Sequence, residues 1–426
     1  MSRQELADAC NAELAKTRVK VGSGPRWAGL TEKTIGAMER GEIRWPNKDY
    51  RQVLCAVLKA DERTLGLYID RPVDAGADTF FSASSPDLEH DVRRREFLPI
   101  AAATVGASLL TELAGVLLGN LVEPQSAHPP SAERLLRQAS KAKRLYQACD
   151  YTQLAAFLAP LLSDLATAQQ EVDKSQLAKI HEIGAATYHV VASLLLKHGE
   201  HPLALLAAER SAQSARASSN PITIAASARI MAHSLASNGH TSHAVSVAQQ
   251  AAQQLDSDDG LTSPDATSVY GALVLRAAVA AARLNDRETA STLLDEGQRA
   301  ARRLGDDGNH QWTGFGPQNV LLHRVNIALT LGDAGTAIAI ARKVSLDRVP
   351  LTERKVSLHL DVAQAYTQWG RHPQALSALR AAYSLAPQEV RTRPAARRVV
   401  SDLATLSRGS DRSDAMRFAT AAGLAL

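Results

Sequence analysis

Between Thr31 and Pro46 the chain reads TEKTIGAMERGEIRWP. Wound into a helix, this stretch places Ile35 and Met38 on one apolar seam and leaves Thr31, Lys33, Thr34 and Ala37 outside. Lys33 and Arg40 then have the charge and reach to address phosphate oxygens or guanine edges, and the Thr31 and Thr34 hydroxyls suit either target. From Leu14 to Arg51 there are nine Lys and Arg against four Asp and Glu. A local excess of this kind is the electrostatic footprint of a polyanion binder. It has to be local, because all 426 residues together carry a formal charge of only +4.

Such a helix must be held by others. Gln4 to Lys16 lines up Leu6, Ala9, Cys10 and Leu14 at helical spacing. Glycines and a proline in TRVKVGSGPRWAGL then break the pattern. Lys16, Arg18, Lys20 and Arg26 make this connection a candidate basic wing on the phosphates. Thr31 is the expected N-cap of Glu32 to Arg40, with Gly41 as its left-handed stop. Pro46-Asn47 opens a third helix with Val53, Leu54, Val57 and Leu58 inward.

The polar run DRPVDAGADTFFSASSPDLEHD reads as a linker. After it, RRREFLPIAAATVGASLLTELAGVLLG (Arg93 to Gly119) has the pattern of a twin-arginine export signal ahead of an apolar stretch. It begins more than ninety residues into the chain, whereas export signals are N-terminal. Ala, Gly, Thr and Ser dilute it, and Glu112 within it would cost roughly 2.5–3.5 kcal/mol at a bilayer centre. A buried or interface helix is expected here, not a membrane anchor. Cys10, Cys55 and Cys149 are isolated, with no CxxC and no His/Cys metal spacing, so reduced thiols in a cytoplasmic protein are expected.

From about residue 131 the sequence repeats. The segments YHVVASLLLKHGEHPLALLAAERSAQSA and ARIMAHSLASNGHTSHAVSVAQQAAQQL share a plan with LLHRVNIALTLGDAGTAIAIARKV and HLDVAQAYTQWGRHPQALSALRAAYSLAP. Each has an apolar helix, a turn residue and an alanine five residues later. The turns are Gly199, Gly239, Asn285, Gly332 and Gly370, and the alanines are Ala204, Ala244, Ala290, Ala337 and Ala375. Asp150 with Ala155 suggests an earlier unit. With 45% hydrophobic residues but only 4% aromatic ones, the core must close with small and aliphatic side chains, which suits closely packed helix pairs.

These features carry two resemblances. SRQELA (Ser2 to Ala7) and KTIGAMERGEIRWP resemble the lambda-repressor-like (XRE/Cro) helix-turn-helix family, with Glu39, Arg40, Gly41 and Pro46 in that family's order. The family has a further helix ahead of its SRQELA segment and a shorter turn between the motif helices, so a minimal domain or a start placed too late is expected. The repeats resemble a tetratricopeptide-repeat (TPR) array, best at Val362, Ala363, Tyr366, Gly370, Ala375, Ala382 and Pro387. Turn-to-turn spacings of 38 to 49 residues exceed the family's regular 34. The whole arrangement is similar to a group of actinobacterial regulators with this head and body. The resemblance implies DNA contact by Thr31, Lys33, Thr34 and Ala37, and backbone contact by Arg40 and Arg44.

The TPR register also implies which side chains face the concave groove. His189, Ser193, Arg229, His233 and Arg283 come first, followed by Asn319, Asn326, Gln364 and Gln368. Asn pairs with peptide backbone, and Arg can hold a carboxylate through two parallel bonds. Such a groove resembles the peptide pocket of RRNPP-type quorum-sensing regulators. These polar residues could equally solvate an inner surface or pair across repeats. The pairs His198/His201 and His240/His243 fall at turns without a carboxylate or thiol arranged around them, so no metal is expected. GFGPQ (Gly314 to Gln318) reads as a turn, and no phosphate loop, nucleophile elbow or functional carboxylate pair argues for an enzyme.

The expectation is an all-α chain with a lambda-repressor-like helix-turn-helix DNA-binding domain over residues 1–70. A linker with an apolar helix follows over 71–130, then a TPR-like α-solenoid over 131–390 and capping helices over 391–426. The expected partners are double-stranded DNA, a peptide or small-molecule effector and a second copy in a homodimer, with no cofactor and no membrane. The alternative is a TPR interaction scaffold without sequence-specific DNA binding.

Overall fold

The computed structural model describes residues 1–19, 30–39, 46, 48–61, 64–65, 107–119, 130–171 and 173–424. The N-terminal unit packs α1 (Arg3–Val19), α2 (Glu32–Glu39) and α3 (Lys48–Leu58) around Ala7, Cys10, Leu14, Leu30, Ile35, Val53 and Leu54. Asn11 fixes the entry to α2 by exchanging two hydrogen bonds with the Leu30 backbone, each 2.8 Å. Thr31 caps α2: its Oγ1 accepts from Thr34 N at 3.2 Å, which satisfies one of the orphan donors of the first turn. Arg3 on α1 pairs with Glu39 at the far end of α2, 2.6 Å apart. Leu58, expected inward, is exposed, because α3 ends there and Lys59 turns left-handed.

The described part of the apolar segment is α4 (Ala107–Leu117), whose Leu110, Leu113, Val116 and Leu117 are buried in the same core as the helices that follow. Helix hairpins then run to the end: α5 (Ala132–Gln147) with α6 (Tyr151–Glu171), α7 (Lys174–His198) with α8 (His201–Ser218), and α9 (Pro221–Ser237) with α10 (Thr241–Asp259). They continue as α11 (Pro264–Arg283) with α12 (Arg287–Leu304), α13 (Pro317–Thr330) with α14 (Ala334–Ala341), and α15 (Thr352–Gln368) with α16 (His372–Leu385). The short α17 (Pro387–Thr392), α18 (Pro394–Leu406) and α19 (Gly409–Ala422) complete the described chain.

The repeat chemistry explains these hairpins. Gly199, Gly239, Asn285, Gly332 and Gly370 all adopt the left-handed conformation that lets a helix stop and reverse. The alanines five residues on are at most 1% exposed, so each outer helix lies close against its inner partner. The first unit differs by one residue from the expected register. Its left-handed residue is Cys149 rather than Asp150, and the place of the alanine is taken by Leu154. Ser131, Asn220, Ser263 and Asp286 cap the helices that follow them through side-chain oxygens.

Among the described residues there is no strand, and α11 alone is long and apolar enough to cross a membrane by length and composition. Of that stretch 78% is buried inside the fold, as a helix in the middle of a packed array must be. The two ends of the array meet. Leu135, Tyr151 and Leu194 from the first units share one continuous core with Val356, Leu379, Val390 and Val399 from the last. The array is therefore closed end to end, with the inner helices α5, α7, α9, α11, α13 and α15 facing a central space.

Candidate functional site

That central space is a cavity of about 740 Å³. At one level each of the six inner helices contributes one nitrogen-bearing side chain to its wall: Lys143, His189, Arg229, Arg276, His323 and Arg354. All six are half-buried. Arg229 Nη2 donates to His189 Nε2 at 2.9 Å, and since Arg can only donate, the His189 proton sits on Nδ1. Lys143 Nζ lies 5.4 Å from the Trp312 ring centre, a cation–π distance. His323 Nδ1 donates to the Asn319 carbonyl at 2.8 Å, and Arg354 Nη2 reaches the Thr313 carbonyl at 3.3 Å. Arg276 makes no hydrogen bond or ion pair among the described residues, and the Nε atoms of Arg229 and Arg276 are buried without a partner.

Burial and mutual repulsion act together on these groups. Burial, then the charge of Arg229, pulls Lys143 down to about 8. Burial, then Arg229 and Arg354, pulls Arg276 down to about 9. Arg229 falls to about 10 by burial and the Arg354 charge. His323 drops to about 3, and His189 and His233 also fall well below the usual imidazole range, all led by burial. The imidazoles are neutral donors and acceptors while the lysine and arginines stay charged at neutral pH. Across the whole wall nine Lys and Arg face four Asp and Glu. One of those acids, Asp361, is raised to about 6 by burial and accepts a hydrogen bond from Asn326 Nδ2 at 3.1 Å.

One side of the cavity is the closure seam. Lys197 Nζ sits 2.5 Å from Glu353 Oε1 and 2.6 Å from Glu389 Oε1, with all three side chains buried. Arg393 Nε lies 3.3 Å from Glu389, and the Tyr151 hydroxyl donates to the same carboxylate. Gln388 Oε1 accepts from the backbone of Tyr151 and Thr152 at 2.9 and 3.0 Å, which also caps α6. Burial and Arg393 oppose the charge on Lys197, but Glu353 and Glu389 outweigh them and hold its pKa above the usual lysine value. On another side the segment from Gly305 to Gly316 crosses as a strap. Phe315 is fully buried against Gly271, and Gln147 of α5 exchanges hydrogen bonds with Asn309 and donates to the Trp312 carbonyl.

Of the side chains expected inside, His189, Ser193, Arg229, His233, Arg283 and Asn326 lie on the cavity wall. Asn319 does not. Helix α13 starts at Pro317, so Asn319 falls in its first turn, where Asp307 of the strap accepts from Gln318 N at 2.6 Å, and it is 4% exposed. Gln364 and Gln368 are also off the wall, because the last α15 residue on it is Asp361, one turn earlier. Lys143, Arg276, His323 and Arg354 escaped the repeat register. In α11 and α13 the expected positions are the apolar Leu275 and Leu322, and the polar group is the next residue, Arg276 or His323. The signal for Arg276 was its distance of seven residues, two turns, from Arg283 on one helix face.

In the N-terminal unit, Thr31 and Lys33 are exposed and Thr34 is half-buried, opposite buried Ile35. Ala37 lies within α2. Arg26, Arg40 and Arg44 are outside the described residues. Elsewhere, His198 Nδ1 donates to the Leu194 carbonyl at 2.9 Å, and the His240 and His243 rings stack edge to face. Among the described residues no three His, Cys, Asp or Glu gather as a metal site would require.

Fold and cavity define the class: an all-α, TPR-like solenoid closed around a polar, cation-rich interior. No family model matches the chain, and no curated protein matches it. Among solved structures it is similar to a Rap protein crystallised in complex with competence and sporulation factor. The sequence identity is 11% and the TM-score 0.42, over 69% of this chain and 88% of that one.

Proposed function

We propose that the protein is a DNA-binding transcriptional regulator whose solenoid senses a peptide or small-molecule effector in its central cavity. The observation that carries this reading is the cavity itself: cations or imidazoles converge on it from every inner helix, and several of the cations have no partner of their own. A purely structural interior would pair or omit them, because an unpaired buried charge is costly. We read the cavity as a binding site, its wall offering cations and neutral imidazoles that can hold a ligand.

DNA contact falls to α2. Its apolar side is spent on the core around Ile35, and Thr31 and Lys33 are presented outward. One such helix covers a half-site, so the working form is a homodimer. An effector shifts the protein between states only if it binds one of them better. The cavity wall includes Lys197, Glu353 and Arg393, which also hold the closure seam, so an occupant that engages them changes how firmly the array is shut. Opening or tightening the seam would respace the two DNA-binding units of the dimer.

The test is capture of fragmented genomic DNA from the host on the purified full chain, with the Lys33→Ala/Arg40→Ala protein as control. Enrichment of a shared motif that the control loses supports the reading. No enrichment by a folded protein overturns it in favour of an interaction scaffold.

A further inference from the structure

The level of the cavity marked by Lys143, Arg229 and Arg276 says what kind of effector enters. Lys143, Arg229 and Arg276 have no carboxylate partner among the described residues, while the fourth cation of that level, Arg354, has only a loose contact of 3.5 Å to Glu353. The carboxylate of Glu353 is in any case committed to Lys197. The electrostatic effects on these groups name one another: Arg229 acts on Lys143, His189, Arg276 and His323, and Arg354 acts on Arg229, Arg276 and His323. All six side chains line the same cavity, and Arg229 touches His189 at 2.9 Å, so they surround one volume and do not line separate patches. A peptide C-terminus would bring one negative charge to three unneutralised cations. The volume of about 740 Å³ falls within the roughly 300–1,000 Å³ typical of small-molecule sites.

We propose that this level binds a small molecule carrying two or more clustered negative charges, a phosphate ester or a polycarboxylate, gripped by Arg229 and Arg276 and flanked by Lys143 and Arg354. Guanidinium forks match both oxyanion geometries through paired N–H donors. The neutral imidazoles of His189 and His323 line the level without adding charge, and His189 Nε2 orients the Arg229 guanidinium by accepting from it at 2.9 Å. Tyr146, Trp312 and Leu322 on the same wall leave apolar surface for an organic body. Without the anion the half-buried cations repel one another, and an anion among them relieves that repulsion. The site is thus kept at the expense of ligand-free stability.

This proposal rests on reading the cavity as the sensory site, but not on DNA binding. The full chain is titrated calorimetrically, without DNA and at fixed ionic strength, with inorganic pyrophosphate and separately with citrate. Melting temperature is followed in parallel. One saturable site per chain is expected, with a rise in melting temperature. Preference for pyrophosphate assigns a phosphate ester, and preference for citrate assigns a polycarboxylate. Arg276→Met and Arg229→Gln should each lose at least tenfold in affinity, while Arg137→Gln, which removes an exposed charge from α5, should lose nothing. Arg276→Met should also melt higher than the parent when no anion is present, which separates loss of a binding group from loss of the fold. Saturable binding of neither anion, or affinity unchanged in both cavity variants, overturns the proposal. A chain that captures an operator yet binds neither anion keeps the regulator reading and loses this one.

Discussion

Lys197 on α7 and Arg276 on α11 are both cations on the inner wall of the same array, and the fold treats them in opposite ways. Lys197 is 8% exposed and has a carboxylate oxygen at 2.5 Å and another at 2.6 Å. Arg276 has no ion-pair partner among the described residues. The two carboxylates hold the Lys197 pKa above its ordinary value, whereas burial beside Arg229 and Arg354 pulls Arg276 down to about 9. The first site is complete and joins residues more than 150 positions apart, as a structural latch does. The second is incomplete, as a receptor is before its ligand arrives.

The sharpest way to break this contrast is to remove the latch cation. Lys197→Met leaves Glu353 and Glu389 buried with their main counter-charge gone, and it should destabilise the chain by about 3–5 kcal/mol in denaturant unfolding. A loss below about 1 kcal/mol would mean that the seam is open in solution. Next in size is Gly271→Ala. A Cβ there would stand 2.0 Å from Cζ of Phe315, so the strap must lift. Overpacking of this kind costs about 1–3 kcal/mol. Because Trp312 rides on the same strap over Lys143, anion affinity should fall although no cation has been touched. The smaller and opposite effect is Arg276→Met, expected to stabilise the ligand-free chain by about 0.5–2 kcal/mol. Destabilisation instead would show that Arg276 has a counter-charge in solution.

The same contrast explains what could be read from the sequence. The hairpin turns were legible because a left-handed residue has a chemical signature: four glycines and Asn285 stand where the chain must reverse. Cys149 carries no such signature, so the sequence alone points to Asp150, one residue too late. His189, Arg229 and His233 followed from the repeat register, since positions along one helix face obey a period. The latch followed from nothing local. Glu353 and Glu389 lie 156 and 192 positions from Lys197, and no pattern in either neighbourhood announces the other. The strap was equally silent: GFGPQ looks like a turn, and only the fold shows that Phe315 fills the space left by the missing side chain of Gly271. Three of the residues expected at DNA, Arg26, Arg40 and Arg44, fall outside the described residues, whereas Thr31, Lys33 and Thr34 lie at the start of α2.

The finest test of the contrast is a titration without any ligand. Lys143 sits at about 8 in the fold against 10.5 for an ordinary lysine. A group whose folded pKa is lowered gives up its proton first in the native state. Between about pH 8 and 10.5 the unfolded chain therefore holds more protons at this position, and stability at this site rises with pH across that window. Lys197 has the opposite sign: its raised pKa gives a contribution that is complete below the ordinary lysine value and is lost only at higher pH. Subtracting the melting profile of Lys143→Met from that of the parent isolates the first effect, expected to be a few degrees between pH 8 and 10. Saturating pyrophosphate should erase the difference, because an anion beside Lys143 restores its hold on the proton. Parallel profiles without ligand would mean that Lys143 is solvated well enough to keep its ordinary pKa, and the case for an unsatisfied cationic level would then rest on Arg229 and Arg276 alone.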